Sequence, residues 1–244
     1  MASSENPAPA GARPRVTALD TLRGLTVISM VLFHASYDAA YLYGIALPWF
    51  SAGPVQDVWR ASISWVFLFL AGWMTSFSRS NMRRAALYGV GALLIWAATS
   101  LAAVDVPVSF GILFCMAAST LLYALGEPLL RRLPPLPAAI ASLVLFALLW
   151  QVPRSVYPVM GLSWLGFPSP AFASGDYYPL IPFAFMYLAG AFAARAHARR
   201  AGSAYPAWML ADLCPPLTWV GRRSLVVYLA HQPLLILAFE LLAH

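Results

Sequence analysis

The first long apolar stretch of the chain carries ionisable residues at helical spacing. It opens with the segment Asp20–Gly24 and continues through His34 to Asp38. At about 100° per residue, one narrow stripe of a helix holds five residues: Asp20, Arg23, Val27, His34 and Asp38. Because ionisable groups inside a membrane are costly, their default interpretation is functional. The stripe predicts a site with a cation near one end and an imidazole roughly 16 Å further along the helix axis.

The last apolar stretch carries a second set of polar side chains. Ser224, Tyr228 and His231 follow one another at i, i+4 and i+7 and share a helix face. Pro233 removes one backbone hydrogen bond, which predicts a kink beside His231. Both histidines are expected to reach the inner-to-middle membrane and to face a shared cavity.

A neutral imidazole is the usual general base near neutral pH. We therefore predict that His34 takes a proton from an attacking hydroxyl or amine. Asp38, one turn beyond it, would set its tautomer and stabilise its charged form. The alternatives are a structural, hydrogen-bonded role for His34 and His231, and an ion pair between Asp38 and Arg60.

The composition is that of a membrane protein. Of 244 residues, 61% are hydrophobic and 10% charged, with a mean hydropathy of +0.72, whereas soluble domains carry about 25% charged residues. Residues 1–15 are expected to form a disordered cytoplasmic tail, and 16–244 a single domain. We predict an all-α, polytopic transmembrane bundle of about seven spans: about 22–46, 60–78, 85–104, 108–126, 136–152, 179–195 and 219–242.

The arginines indicate how the bundle is oriented. All fifteen cations are arginine. Thirteen fall on one side if the N-terminus is cytoplasmic, and only Arg60 and Arg154 fall on the other, which predicts an N-in orientation. The net charge of +6 is explained by this asymmetry, so the expected partner is a lipid bilayer and not a nucleic acid. Arginines at the inner mouth are topology determinants, or they bind a phosphorylated cytoplasmic ligand through bidentate contacts; the candidates are Arg23, Arg222 and Arg223.

The longest loop, at about 153–178, is expected outside the membrane. A loop of this length in a compact protein is more often functional than idle. Its Asp176, Tyr177 and Tyr178 would suit a sugar or another polar acceptor. The alternative is an interfacial belt of aromatic side chains.

Several motifs together resemble a known family, the small bacterial proteins related to the catalytic domain of heparan-alpha-glucosaminide N-acetyltransferase, within the transmembrane acyltransferase superfamily. The segments that carry the resemblance extend from about residue 16 to residue 236: Asp20–Gly24 with Met30–His34, Phe69–Gly72, Phe110–Leu113, Ser174–Leu180, Gly221–Leu225 and Tyr228–Pro233. Two departures are visible. Phe114 stands where small members often carry a histidine, and the outer catalytic histidine of the mammalian-type enzyme has no counterpart.

The resemblance implies a multi-pass enzyme of the bacterial inner membrane. It would transfer an acyl group, usually acetyl, from cytoplasmic acyl-CoA to a hydroxyl or amine of a sugar or glycoconjugate on the far side. Because a thioester is already activated, no metal is expected. Arg23 and His34 match the arginine–histidine pair of the superfamily.

The remaining roles would be divided between the two ends of the site. Arg23, Arg222 and Arg223, together with Ser224, would bind the coenzyme A phosphates. Ser224, Tyr228 or His231 would donate to the thioester oxygen. The oligomeric state stays open, with a homodimer among the alternatives.

Two other functions compete with this interpretation. Intramembrane histidine and aspartate also form proton relays, so a proton-coupled transporter of a small polar or anionic solute is the first. A haem-binding electron carrier, with His34 and His231 as axial ligands, is the second.

Overall fold

The computed structural model describes residues 15–102, 105–202 and 204–243. Throughout these residues the regular structure is helical, and they contain no strand. The all-α prediction is therefore confirmed. Residues 1–14 of the predicted disordered tail lie outside the described part of the chain.

Ten α-helices occur in the described residues: α1 Thr17–Tyr37, α2 Pro48–Ser51, α3 Pro54–Trp73, α4 Asn81–Ala102, α5 Ile112–Leu130, α6 Pro135–Leu148, α7 Leu180–Ala201, α8 Ala207–Leu210, α9 Pro215–Arg222 and α10 Ser224–Ala243. A π-helix over Asp38–Leu42 continues α1 without a break. Short 3₁₀ turns follow α3 and α6, at Met74–Ser76 and Val152–Arg154.

Seven helical segments of the described residues are long and apolar enough to cross a bilayer. The predicted seven spans are therefore confirmed, with ends that differ by up to six residues. The last span, predicted from residue 219, differs in kind as well as in length. There the chain forms α9, leaves helical geometry at Arg223 (φ −112°, ψ 18°), and only then begins α10.

Two tight helix crossings hold the bundle together, each between a pair of glycines. Gly24 of α1 lies against Gly221 of α9, and a side chain at either position would overlap backbone of the other helix. Gly72 of α3 and Gly190 of α7 make the same kind of contact. Small residues allow helices to approach closely in membrane proteins. These crossings fix α1, α3, α7 and α9 as the rigid frame of the molecule.

Arginine side chains tie together the ends of helices that are distant in sequence. Arg195, near the end of α7, donates to the carbonyl of Leu130 at the end of α5 (2.7 Å). Arg23 in α1 donates to the carbonyl of Gly221 in α9 (3.3 Å). Helix ends that the charge pattern assigned to one side of the membrane are thus neighbours in space.

Candidate functional site

Two helices bring the two intramembrane histidines together. His34 of α1 and His231 of α10 have ring centroids 4.8 Å apart, with the ring planes tilted by 57°. Phe33 packs edge-on against His34.

His231 is held by the backbone of its own helix. Its Nδ1 lies 2.5 Å from the carbonyl oxygen of Tyr228. Its Nε2 is buried and has no hydrogen-bond partner among the described residues. The ring is therefore fixed on one edge, and a polar nitrogen remains unsatisfied on the other edge.

The structure shows a hydrogen bond of Asp38 that differs from the one expected from sequence. The side chain of Asp38 is 1% exposed. The amide nitrogen of Gln232 donates to both of its carboxylate oxygens, at 2.9 and 3.0 Å. Asp38 opens the π-helix, and its own backbone amide still bonds to the carbonyl of His34 one turn before it. Gln232, which sequence reasoning left without a role, is the observed partner of this carboxylate.

A cavity of about 300 Å³ lies between α1, α3, α4, α5 and α10. This volume is at the lower end of the range for small-molecule sites. Its lining is mostly apolar, and its polar members come from three helices and one loop: Arg23, Arg84, Tyr88, Ser224, Tyr228 and Ser78. Tyr228 connects the cavity to the histidine pair, since its ring centroid lies 5.5 Å from that of His231.

Asp20 lies within ion-pairing distance of three arginines near the start of α1. Its carboxylate is 5% exposed and accepts from Arg15 at 2.7 Å and from Arg23 at 3.3 Å. Arg222 lies 3.8 Å away on the same carboxylate. Arg23 also lines the cavity. Asp20, to which the sequence analysis gave no role, therefore positions Arg23, one of the candidate donor-binding cations.

The other two predicted donor-binding residues of this region lie differently. Arg223 stacks over the ring of Trp219, with 4.3 Å from its guanidinium carbon to the ring centroid. Neither Arg222 nor Arg223 lines the cavity, whereas Ser224 does. The structure thus brings together Arg23, Ser224 and Tyr228 and leaves the two adjacent arginines at its edge.

Sequence reasoning missed Arg84, which it treated as one of several topology determinants. Arg84 lines the cavity and donates to the carbonyl of Ala71 at 2.9 Å and to the hydroxyl of Tyr88 at 3.2 Å. Its Nη1 is buried without a partner among the described residues. A helical signal existed, because Arg84, Tyr88 and Gly91 follow at i, i+4 and i+7 on one face of α4.

The predicted acceptor residues of the long loop engage the chain itself. The carboxylate of Asp176 accepts from the backbone amide of Ile112, the first residue of α5, at 3.2 Å. Burial raises the pKa of this carboxyl to about 6, and the hydrogen bond from Ile112 opposes the rise. The hydroxyl of Tyr177 donates to the carbonyl of Ser163 at 2.7 Å. Burial raises the pKa of Tyr177 to about 12 and raises that of the buried Tyr178 as well.

These contacts describe a loop that is packed onto the helix ends. Asp176 satisfies an amide at the start of α5, a helix that lines the cavity. The loop therefore positions α5, and the binding of an acceptor by Asp176, Tyr177 and Tyr178 stays a prediction.

Comparison with known proteins gave one match. No curated protein and no solved structure matched the chain. The family model described as heparan-alpha-glucosaminide N-acetyltransferase, catalytic, matches residues 15–233, which include every residue that lines the cavity and both histidines of the pair. The chain therefore belongs to the family of the heparan-alpha-glucosaminide N-acetyltransferase catalytic domain, and it is a multi-pass membrane protein of that acyltransferase family.

Proposed function

We propose that the chain transfers an acyl group, usually acetyl, from acyl-CoA to a hydroxyl or amine of a sugar-like acceptor. The observation that carries this proposal is a cavity that adjoins the histidine pair through Tyr228, although neither histidine is among the residues that line it. A cavity with two arginines at one end is lined at the other by Tyr228, which packs against the His34–His231 pair. A cationic end and a basic end are what transfer from a phosphorylated thioester requires.

Arg84 and Arg23 would bind the donor. A buried guanidinium nitrogen without a partner is costly, and an anionic oxygen of a ligand would remove that cost at Nη1 of Arg84. Arginine suits phosphate because its planar donors match the geometry of the oxygens. Ser224 would add a hydroxyl to the same end. Arg222 and Arg223, at the edge of the cavity, would act through the charge that they add near its mouth.

Tyr228 and His34 would act at the thioester. The phenol of Tyr228 would donate to the carbonyl oxygen, where negative charge develops. His34 would take the proton of the attacking hydroxyl or amine while the oxygen or nitrogen bonds to the carbonyl carbon. The carbon–sulfur bond then breaks, and the thiolate takes the proton from His34 and leaves as free coenzyme A.

The proposed orientation follows the arginines. Placing the N-terminus in the cytoplasm puts the arginine end of the cavity on the side where coenzyme A is found. The acceptor would then approach from the opposite side, near the loop that carries Asp176. A bacterial inner membrane is the setting that this proposal implies.

The decisive experiment measures thiol release from acetyl-CoA by the purified chain in nanodiscs, with a panel of amino sugars and neutral sugars. We expect release that depends on the acceptor, and its loss in a folded His34→Ala variant. His197→Ala is the matched control, because His197 contacts the carbonyl of Ala204 away from the cavity.

Two outcomes would contradict the proposal. The first is solute flux in proteoliposomes without acceptor-dependent thiol release, which is the property of a transporter. The second is near-normal turnover by His34→Ala, which would remove His34 from the reaction.

A further inference from the structure

One nitrogen in the core of the site has no hydrogen bond. Nε2 of His231 is shielded from solvent and no group among the described residues bonds to it. Burying a polar atom without a partner is unfavourable, because the atom loses its hydrogen bonds to water and gains none in return. Such an atom, like Nη1 of Arg84 and Oε1 of Gln232 in the same region, points to a partner that pairs with it during function.

The other edge of the ring fixes which kind of partner Nε2 needs. Nδ1 of His231 contacts the carbonyl oxygen of Tyr228, and a carbonyl can only accept. Nδ1 must therefore carry the proton. In a neutral imidazole the second nitrogen is then an acceptor. Nε2 consequently requires an N–H or O–H donor.

His34 is placed to supply that donor. Its ring centroid lies 4.8 Å from that of His231, with the ring planes tilted by 57°, so a modest rotation of the His34 side chain would direct a ring N–H towards Nε2. Among the described residues the carboxylate of Asp38 makes no hydrogen bond to His34, and it accepts from Gln232 instead. Of the other titratable groups, Tyr228 packs against His231 and Asp38 accepts from Gln232, the residue that follows His231.

We propose that His231 is the positioning residue of His34. Its Nε2 accepts one ring N–H of His34, which leaves the other nitrogen of His34 unprotonated and directed to the acceptor. This assignment rests on the proposed function. It gives His231 the role expected of Asp38 from sequence, and it replaces the expectation that His231 donates to the thioester oxygen.

The pairing also stabilises the charged intermediate state of the base. When His34 takes the proton of the acceptor, its bond to Nε2 becomes charge-assisted and stronger. The proton later leaves with the coenzyme A thiol, so His231 itself gains and loses no proton. The proposed hydrogen bonds run from the carbonyl of Tyr228 through His231 to His34. This arrangement follows the logic of a catalytic triad without a carboxylate.

Two matched variants test the role of His231 by activity. His231→Met keeps much of the volume but cannot accept, whereas His231→Gln offers an amide oxygen near the position of Nε2. We expect kcat to fall roughly 100-fold in the Met variant, with KM for acetyl-CoA unchanged and partial recovery in the Gln variant.

The pH profile adds a readout that a purely structural role would not move. Because Nε2 stabilises the imidazolium of His34, its loss should shift the acid limb of kcat/KM to lower pH in His231→Met. Equal losses in Met and Gln with a raised KM, or an unshifted profile, would overturn the proposal.

A spectroscopic measurement tests the same pairing without turnover. In ¹⁵N-histidine-labelled chain, ring-nitrogen shifts distinguish protonated from unprotonated nitrogens, and the signals missing in His231→Gln belong to His231. We expect a protonated Nδ1 and an unprotonated Nε2. A protonated Nε2 would overturn the assignment, whether or not the wild-type chain releases thiol. A wild-type chain that releases no thiol would by itself contradict only the proposed function.

Discussion

Among the single residues of the site, Arg84 and Arg23 show how two similar cations can differ. Arg23 is paired with the carboxylate of Asp20 and the carbonyl of Gly221. Arg84 has hydrogen bonds on two of its nitrogens and a third nitrogen that is buried without a partner among the described residues. Arg84 therefore has the stronger need for a ligand, although both line the cavity.

Arg84→Ala should weaken donor binding more than the loss of any arginine outside the cavity. Removing a charged hydrogen-bond donor costs about 1.5–3 kcal/mol, which predicts a rise of KM for acetyl-CoA of roughly tenfold to hundredfold. Steady-state kinetics measure this. Arg83→Ala is the matched control, because Arg83 is the preceding residue of α4, has the same charge and is exposed. An equal rise of KM in both variants would assign the effect to charge alone.

The residues of the site were only partly predictable. The spacing of Asp20, Arg23 and His34 located the inner face of α1, because a regular helix projects its side chains at fixed angles. The hydrogen bond between Asp38 and Gln232 was not predictable, since it joins side chains of the π-helix after α1 and of α10 that are 194 residues apart, and the spacing within one helix does not indicate which neighbour it meets. Arg84 was missed because its charge has a sufficient explanation as a topology determinant.

At the scale of helices, the crossings at glycine are the most demanding contacts. A Cβ at Gly24 would overlap the carbonyl of Leu217, and a Cβ at Gly221 would overlap the carbonyl of Asp20. The backbones of α1 and α9 therefore touch directly. This contact places Asp20 near Arg222 and so helps to hold the arginines around Asp20 together.

Gly24→Ala is expected to destabilise the bundle by about 1–3 kcal/mol, because backbone cannot move aside as a flexible side chain can. Thermal unfolding in detergent measures the loss. Gly89→Ala in α4 is the control, because its nearest contact would be Cβ of Ala117 at 4.0 Å. There the extra methyl should be neutral or stabilise the helix by about 0.5–1 kcal/mol. A Gly24→Ala variant as stable as Gly89→Ala would show that α1 and α9 can separate without cost.

The helices themselves were more predictable than their ends. Long apolar runs indicated seven spans, because a bilayer demands about twenty apolar residues per helix. The break at Arg223 was not indicated, since residues 219–242 are compatible with one helix by hydropathy. It arises where α9 must pack Gly221 against α1 and α10 must carry His231 towards His34.

For the whole molecule, the proposed N-in orientation can be measured directly. In a Cys214→Ser background, in which the remaining Cys115 is buried, one cysteine is introduced at exposed Met160 and another at exposed Arg200. A membrane-impermeant maleimide should label Met160→Cys on intact cells and Arg200→Cys only after permeabilisation. The reverse pattern would place the arginine end of the cavity outside the cytoplasm.

The two walls of the cavity that carry Arg84 and Tyr228 have little protein around them. Only 11% of the most apolar stretch of α4 and 6% of that of α10 is buried within the described chain, compared with 61% for α7. Much of the surface of these two helices is therefore free to contact lipid or a second copy of the chain. Since helices adjust their tilt to the thickness of the hydrocarbon layer, we expect the distance between Arg84 and Tyr228 to respond to membrane thickness, whereas the frame around α7 is held by packing within the chain.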